Sequence, residues 1–462
     1  MNLEQKIEEM RDEIIKSTQE IIKLKSVKDA PKEGMPFGKD IHQCFMHALD
    51  LSQKLGFKTK NIDNYGGHAE FGDGEEVVGI LVHLDVVPEG DNWTYPPYAG
   101  EIHDGKIFGR GTIDDKGPAI AGLYAMKAIK ESGAKLSKKI RIIFGLDEES
   151  GWESLKYYLS KEKAPNIAFT PDAEFPAIHG EKGILVFDLV KEFNSKYTDN
   201  GIKVLKIKGG NRPNMVPDYC EAYVVSKNSL KRNLEAYVKE NKVKLEIEEN
   251  GDKTIIKSYG VSAHGSLPEK GQNAISQLIL FLNSLDLAEG DISDFIKVYC
   301  EKIGMDFYGK SIGCGFTDEP SGNLIFNVGI IDLNENSVKT TINIRYPVTY
   351  THRQVCEGMK KALENTSVRI VVTENMDPIY LPKDHEVIQK LMEVYREFTG
   401  DDSEPITIGG GTYARSMENA VAFGPLFPGQ PELAHQKDEF IAVEDLIKIT
   451  KIYAKALYEL AK

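Results

Sequence analysis

Apolar positions along residues 4–24 (Ile7, Met10, Ile14, Ile15, Ile21 and Ile22) recur at helical spacing and predict one amphipathic helix. A second helix is predicted over 38–55, ending at Gly56. From residue 57 the pattern shifts to short β-like runs, FKTKNI and HAEF, followed by EVVGILVHLDVV. That last run is apolar throughout, as in a central strand covered on both faces. DGKIFGRG predicts a hairpin edge. KGPAIAGLYAMKAIKESG predicts a helix with small residues on one face, KKIRIIFGL a buried strand, GWESLKYYLSKE a helix, and NIAFTPDA a third strand. Strands alternating with helices in this way predict an α/β layer with a mainly parallel sheet.

After about residue 180 the pattern alternates instead. GILVFDLVKEF, GIKVLKIKGG, EAYVVS and KLEIEENGDKTIIKSYG read as antiparallel strands, with helices at 229–240, 271–286 and 352–364. Near residue 380 the first pattern returns, with a helix at 384–399, the strand-like PITIGGG and a final amphipathic helix at 441–461. The expected architecture is therefore an α/β catalytic domain, residues 1–180 and 378–462, interrupted by an inserted α+β lid domain of two modules at 181–377.

A chain of 462 residues exceeds a single ordinary core, in keeping with this division. Its longest apolar runs are too short to span a bilayer, and the amphipathic start carries no apolar signal core. Five scattered cysteines, without a CxxC pair, fit a reducing cytoplasm and argue against thiolate metal sites. A net charge of −14 with no basic block disfavours nucleic acid and anionic membrane as partners.

The chemistry lies where the predicted strands end. In open α/β sheets, ligands bind beyond the carboxyl ends of the strands. Those ends carry His83 and Asp85 (VHLDVVP), Asp147, Glu148 and Glu149 (GLDEES), and Asp172 (TPDAEFP). Asp114 and Asp115 precede the small-residue helix, and His435 (AHQKDE) precedes the final one. Singly, each has a plain reading: a spacer histidine, a helix cap, a turn, a solvated helix entry. Converging on one rim, so many carboxylates would raise one another's pKa unless cations neutralised them. Two imidazoles with several carboxylates suit two zinc-like ions joined by a shared carboxylate. Asp85, two residues from His83, is placed to fix that ring's tautomer.

Taken in order, GxxVHLDVVP, GRGTIDDKGP, DEES, PDAEFP, GVSAHGSLPEKGQNA, NIRYP, GGGTYAR and AHQKDE resemble the co-catalytic di-zinc peptidase family of aminoacylases, carboxypeptidases and dipeptidases. Within it they are most similar to the Xaa-His dipeptidase (bacterial dipeptidase V, carnosinase-like) branch. The resemblance implies two divalent ions, zinc first with manganese or cobalt as alternatives. It implies His83 and Asp172 on one ion, Glu149 and His435 on the other, Asp114 as the bridge and Glu148 as general base, with Asp85 beside them. Asp115 falls outside that ligand pattern and is expected at most to support the ligands from behind, and Asp147 either supports the pair or lies exposed.

In the inserted domain the resemblance places His264 over the substrate, donating to the tetrahedral oxyanion; from the residues alone it reads as a turn histidine held by Ser262. Arg345 resembles a clamp for the substrate carboxylate, with a sheet-edge salt bridge as the alternative. Asn214 and the backbone of Gly410, Gly411 and Thr412 are further candidate substrate contacts. The implied activity is hydrolysis of dipeptides with a free amino end. An N-acyl amino-acid deacylase shares every metal motif and is the alternative, and a non-catalytic protein of the same fold is a third. The insertion's roughly 197 residues, nearly twice one compact module, allow what the resemblance to the dipeptidase V branch implies: a monomer whose His264 serves its own active site and which prefers dipeptides to tripeptides.

Overall fold

The computed structural model describes residues 2–194, 197 and 200–462. The chain forms two compact units. The first comprises Met1–His179, Leu381–Ile406 and Gly411–Lys462; the second comprises Gly180–Tyr380 and Thr407–Gly410. The chain thus returns briefly to the second unit at 407–410 and leaves it again inside the GGG run.

In the first unit the apolar run at 77–83 forms a strand, Val77–His83, in which every residue is buried. It lies parallel to Lys139–Gly145 on one side and Ile167–Thr170 on the other. Ala420–Ala422 continues the parallel arrangement beyond Ile167–Thr170. Gly66–Phe71 and Lys58–Ile62 extend the opposite flank in antiparallel register. The parallel centre is buried on both faces, and the antiparallel strands occupy the flank, where one face can meet water. The small-residue helix Lys116–Glu131 and the terminal helix Val443–Ala461 contribute heavily to its core. The hairpin Glu101–His103 and Lys106–Phe108 forms in a separate small sheet with Phe440–Ala442.

The N-terminal pattern yields two helices, Leu3–Glu9 and Arg11–Ile22, where a single helix over 4–24 is predicted. Met10 (φ −96°, ψ 4°) breaks the helix without interrupting its apolar face, since Ile7, Met10, Ile14, Ile21 and Ile22 are all buried. Among the described residues no helix is long and apolar enough to cross a membrane.

The second unit is built on an eight-stranded antiparallel sheet. Its spatial order is Lys244–Asn250, Lys253–Tyr259, Tyr219–Val225, Lys203–Gly209, Ile325–Leu333, Ser337–Tyr346, Gly183–Glu192 and Arg369–Met376. It consists of two four-stranded halves joined where Ile207–Gly209 pair with Ile331–Leu333. Burial alternates along Tyr219–Val225 and Lys253–Tyr259, so one face packs on a core. That core includes a helix absent from the sequence reading, Asp291–Lys302, whose Ile292, Phe295, Ile296 and Tyr299 are buried at i, i+3, i+4 and i+7.

Candidate metal centre

Parallel strands bring His83, the acidic triplet and Asp172 to one rim of the first unit. His83 ends its strand, Glu148 and Glu149 follow Gly145, and Asp172 follows Thr170. Asp114 comes from the loop before the helix Lys116–Glu131, and its peptide bond to Asp115 is cis. His435 comes from the loop before Phe440–Ala442.

Asp114 divides its two oxygens between the two imidazoles. Oδ1 lies 2.9 Å from His83 Nε2, and Oδ2 lies 3.1 Å from His435 Nε2. His435 Nε2 is also 2.9 Å from Glu149 Oε1, and His83 Nε2 is 3.8 Å from Asp172 Oδ1. The ligand atoms of His83, Asp114 and Glu149 fall within 4.8 Å of one another, as do those of His83, Glu148 and Asp172. Such spacings suit neighbours around first-row ions with bonds of about 2.0–2.2 Å. His83 Nε2 is buried and, despite its nearness to Asp114, makes no aligned hydrogen bond. A buried nitrogen this close to two carboxylates, yet out of line for a hydrogen bond to either, fits a divalent cation better than a salt bridge.

Electrostatics say the same. Burial opposes ionisation of Asp114, but the neighbouring imidazoles of His435 and His83 overcome it and hold the carboxyl well below its usual range. His435 is pushed up to about 11 by hydrogen bonds to Asp114 and Glu149. Glu149 is pushed up to about 7 by burial, to which the charge of Asp114 adds. Glu148 is held well above the carboxylate range by burial and then by the charge of Asp172.

Several supporting residues differ from the sequence reading. Asp85 offers His83 Nδ1 its backbone carbonyl at 2.9 Å, whereas its carboxylate stands 3.5 Å away. That carboxylate accepts instead from the backbone N–H groups of Glu148 (3.0 Å) and Glu149 (3.1 Å), fixing the acidic turn. Asp147 is fully buried rather than exposed. It caps the helix Glu153–Lys161 by accepting from the amides of Glu153 (3.0 Å) and Ser154 (2.9 Å). Asp115 accepts from the His83 N–H at 3.2 Å.

Two features escaped sequence reasoning. Tyr413 of GGGTYAR sets its ring edge-on to His83 with centroids 6.2 Å apart. Only glycine at position 145 admits that ring, since a Cβ there would lie 2.3 Å from it. Glu439 is buried and paired with Arg110 at 2.7 Å. It stands four residues after His435 in AHQKDE, where nothing in the local sequence marks it as buried.

The remaining candidates lie in the second unit, apart from Gly411 and Thr412. His264 is exposed, and its Nδ1 meets Ser266 Oγ at 2.6 Å and accepts from the Ser266 N–H at 3.3 Å. Ser266, not Ser262, is thus its partner; Ser262 donates to the Val216 carbonyl. The backbone of Asn214 accepts from Gly265 N–H at 2.7 Å, which puts Asn214 beside the His264 turn. Arg345 is buried on Ser337–Tyr346, a strand paired on both sides, so it is not at a sheet edge. It donates to Asn343 Oδ1 (3.1 Å) and to the Gly409 carbonyl (2.9 Å). Thr412 Oγ1 accepts from Ala414 N–H, and Gly410 has open space on its Cα apart from Ile408 at 3.5 Å.

The profile of Peptidase family M20/M25/M40 matches residues 79–459. The chain is similar to "Putative dipeptidase YtjP" of Bacillus subtilis (strain 168), with 39% identity over 471 aligned residues and 100% of each chain covered. Among solved structures it is similar to human carnosine dipeptidase 1, with a TM-score of 0.56 at 18% identity, covering 99% of this chain and 98% of that one. It is also similar to the di-peptidase Dug1p from Saccharomyces cerevisiae, with a TM-score of 0.58 at 13% identity and the same coverage. At these identities the two structures speak to the fold alone.

A proton linkage follows from the raised His435 and Glu149. A divalent cation entering this cluster must displace protons, so its affinity should fall with pH already below about 11, where His435 holds a proton, and more steeply below about 7, where Glu149 does too. Calorimetric titration of the metal-free protein, in buffers of different ionisation enthalpy, should register net proton release. Binding that released none would contradict these assignments.

Proposed function

The chain belongs to Peptidase family M20/M25/M40, and on that premise we propose that it is a metal-dependent dipeptidase acting on short peptides with a free amino end. The family includes a protein described as an M20 family metallo-carboxypeptidase, and membership implies divalent metal ions. The observation that carries the hydrolytic reading is Asp114, whose oxygens face one imidazole each, with Glu148 beside the same cluster. Full-length likeness to a protein named as a dipeptidase supports the substrate class.

In this reading His83 and Asp172 hold one ion, Glu149 and His435 hold the other, and Asp114 is shared. The nitrogen and oxygen donors suit zinc, with manganese or cobalt as alternatives. Bound cations would polarise the peptide carbonyl and acidify a water towards neutral pH. Glu148 is then the base: cations facing it oppose the burial and neighbouring charge that otherwise keep it protonated. Ionised, it takes a proton from the attacking water and delivers it to the leaving amine. Asp85 orients that base through the amides of Glu148 and Glu149.

Acceptance of the Ser266 N–H by Nδ1 assigns the His264 proton to Nε2, which makes that nitrogen a donor suited to an oxyanion. Arg345 is assigned to the substrate carboxylate, with Asn214, Gly410, Gly411 and Thr412 as polar contacts. The two-halved second unit supports a monomer in which His264 serves its own chain. Unpaired cysteines, five in all, support a reducing cytoplasm.

The test is a panel of dipeptides, tripeptides and N-acyl amino acids offered to the metal-loaded protein and to Glu148→Gln. Dipeptides should be the best substrates. The variant should lose about 10²–10⁴-fold in turnover while still binding two ions. Preference for N-acyl amino acids would make the chain a deacylase, and near-full activity in the variant would remove Glu148 as base.

A second experiment mixes an inactive His264→Ala chain with an inactive Glu148→Gln chain. No activity should return. Restored activity would mean that the histidine acts between subunits.

A further inference from the structure

Two loops supply Asp114 and His435; the strands Lys106–Phe108 and Phe440–Ala442 pair beside their bases, but that ladder stops short of Asp114 and His435 themselves. His435 has φ 64° and Asp438 φ 57°, a region that side chains other than glycine rarely occupy unsupported. Something must hold both loops in place before any cation arrives.

Glu439 does so from a fully buried position. Its Oε1 accepts from the amides of Gly111 (3.0 Å), Ile113 (2.9 Å) and, at longer range, Asp114 (3.4 Å). Gly111 makes this arc feasible with φ 90°, in a space where a Cβ would lie 3.0 Å from Lys116 and Val86. The other oxygen, Oε2, accepts from Arg110 Nη1 at 2.7 Å. The same Nη1 donates to the Gln436 carbonyl at 3.1 Å, next to His435. Gly109 N–H donates to the Glu439 carbonyl at 2.9 Å. On the far side Asp438 accepts from Thr94 through its N–H (2.6 Å) and Oγ1 (2.9 Å). Beyond the end of that ladder, the Arg110–Glu439 pair ties the Asp114 loop to the His435 loop.

We propose that the buried Arg110–Glu439 pair is the positioning element that holds Asp114 and His435 for the cation they would share, so that Glu439 sets cation affinity without touching the ion. This rests on the two-ion reading above. Stability alone is a weak reason for such a pair, because well-packed apolar residues commonly replace buried ion pairs at no loss. Groups that orient metal ligands from behind typically govern affinity.

The discriminating variant is Glu439→Gln in the full chain. A carboxamide has one acceptor oxygen and one donor nitrogen, so either orientation sets a donor against a donor, at the amide arc or at Arg110. Chelator-competition titration with manganese and with zinc should show one of two ions bound about 10–100-fold more weakly than in the unaltered chain. Excess metal should restore kcat, and KM for a dipeptide should stay the same at saturation. Thermal unfolding of the metal-free variant reports folding separately. If Glu439→Gln does not fold, Arg110→Lys keeps the charge but lacks the planar fork, and the same titration should again show weakened binding of one ion. Unchanged affinity for both ions in a folded variant overturns the proposal. An unaltered chain that binds no pair of ions would instead bring down the two-ion reading itself.

Discussion

Like charge crowded at one rim is the constraint on which the first unit depends. Asp85, Asp114, Asp115, Asp147, Glu148, Glu149 and Asp172 converge there with two imidazoles. Each carboxylate is neutralised in its own way. Asp85 and Asp147 accept backbone amides, while Asp114 sits between two histidines. Burial and neighbouring charge push Glu148 and Glu149 up, even though Glu149 lies 2.9 Å from His435. Fixed dipoles satisfy the outer carboxylates, and in the proposed reading cations would neutralise the inner ones. The division of labour inside one acidic triplet follows: Asp147 builds the turn, and the two glutamates face the site.

The scaffold is arranged to resist that repulsion. Parallel strands buried on both faces fix His83 and the start of the acidic turn, and Tyr413 packed over Gly145 braces the His83 ring. Asp114 and His435 come from loops that leave the paired strands Lys106–Phe108 and Phe440–Ala442, and Arg110 with Glu439 extends that tie towards the two ligands. Rigid elements hold one half of the centre, and a short ladder with a buried ion pair holds the other.

Much of this was legible in the sequence because it repeats a simple period. The run VVGILVH is apolar at every position, which only a doubly covered strand explains, and the residues just past such strands are where ligands gather. The gathering of His83, Glu149 and Asp172 at one rim is therefore legible in the strand pattern, whereas singling them out with Asp114 and His435 as ligands rests on the family resemblance. The helix Asp291–Lys302 has a clear 3.6-residue pattern that was missed, with Gly290 and acidic residues at its start. Other features had no periodic signature. Nothing local marks Met10 as a break, or tells whether His83 meets the carbonyl or the carboxylate of Asp85. The pairing of Glu439 with Arg110 depends on two loops brought together across the chain, and spacing along a sequence does not encode that contact.

The central claim is that Asp114 is shared by two cations. Anomalous diffraction from crystals grown with zinc or manganese tests it most directly. Two peaks should flank Asp114 at a separation of about 3.5–4 Å, one against His83 and Asp172 and the other against Glu149 and His435. A single peak, or a pair bridged by any residue other than Asp114, would contradict it.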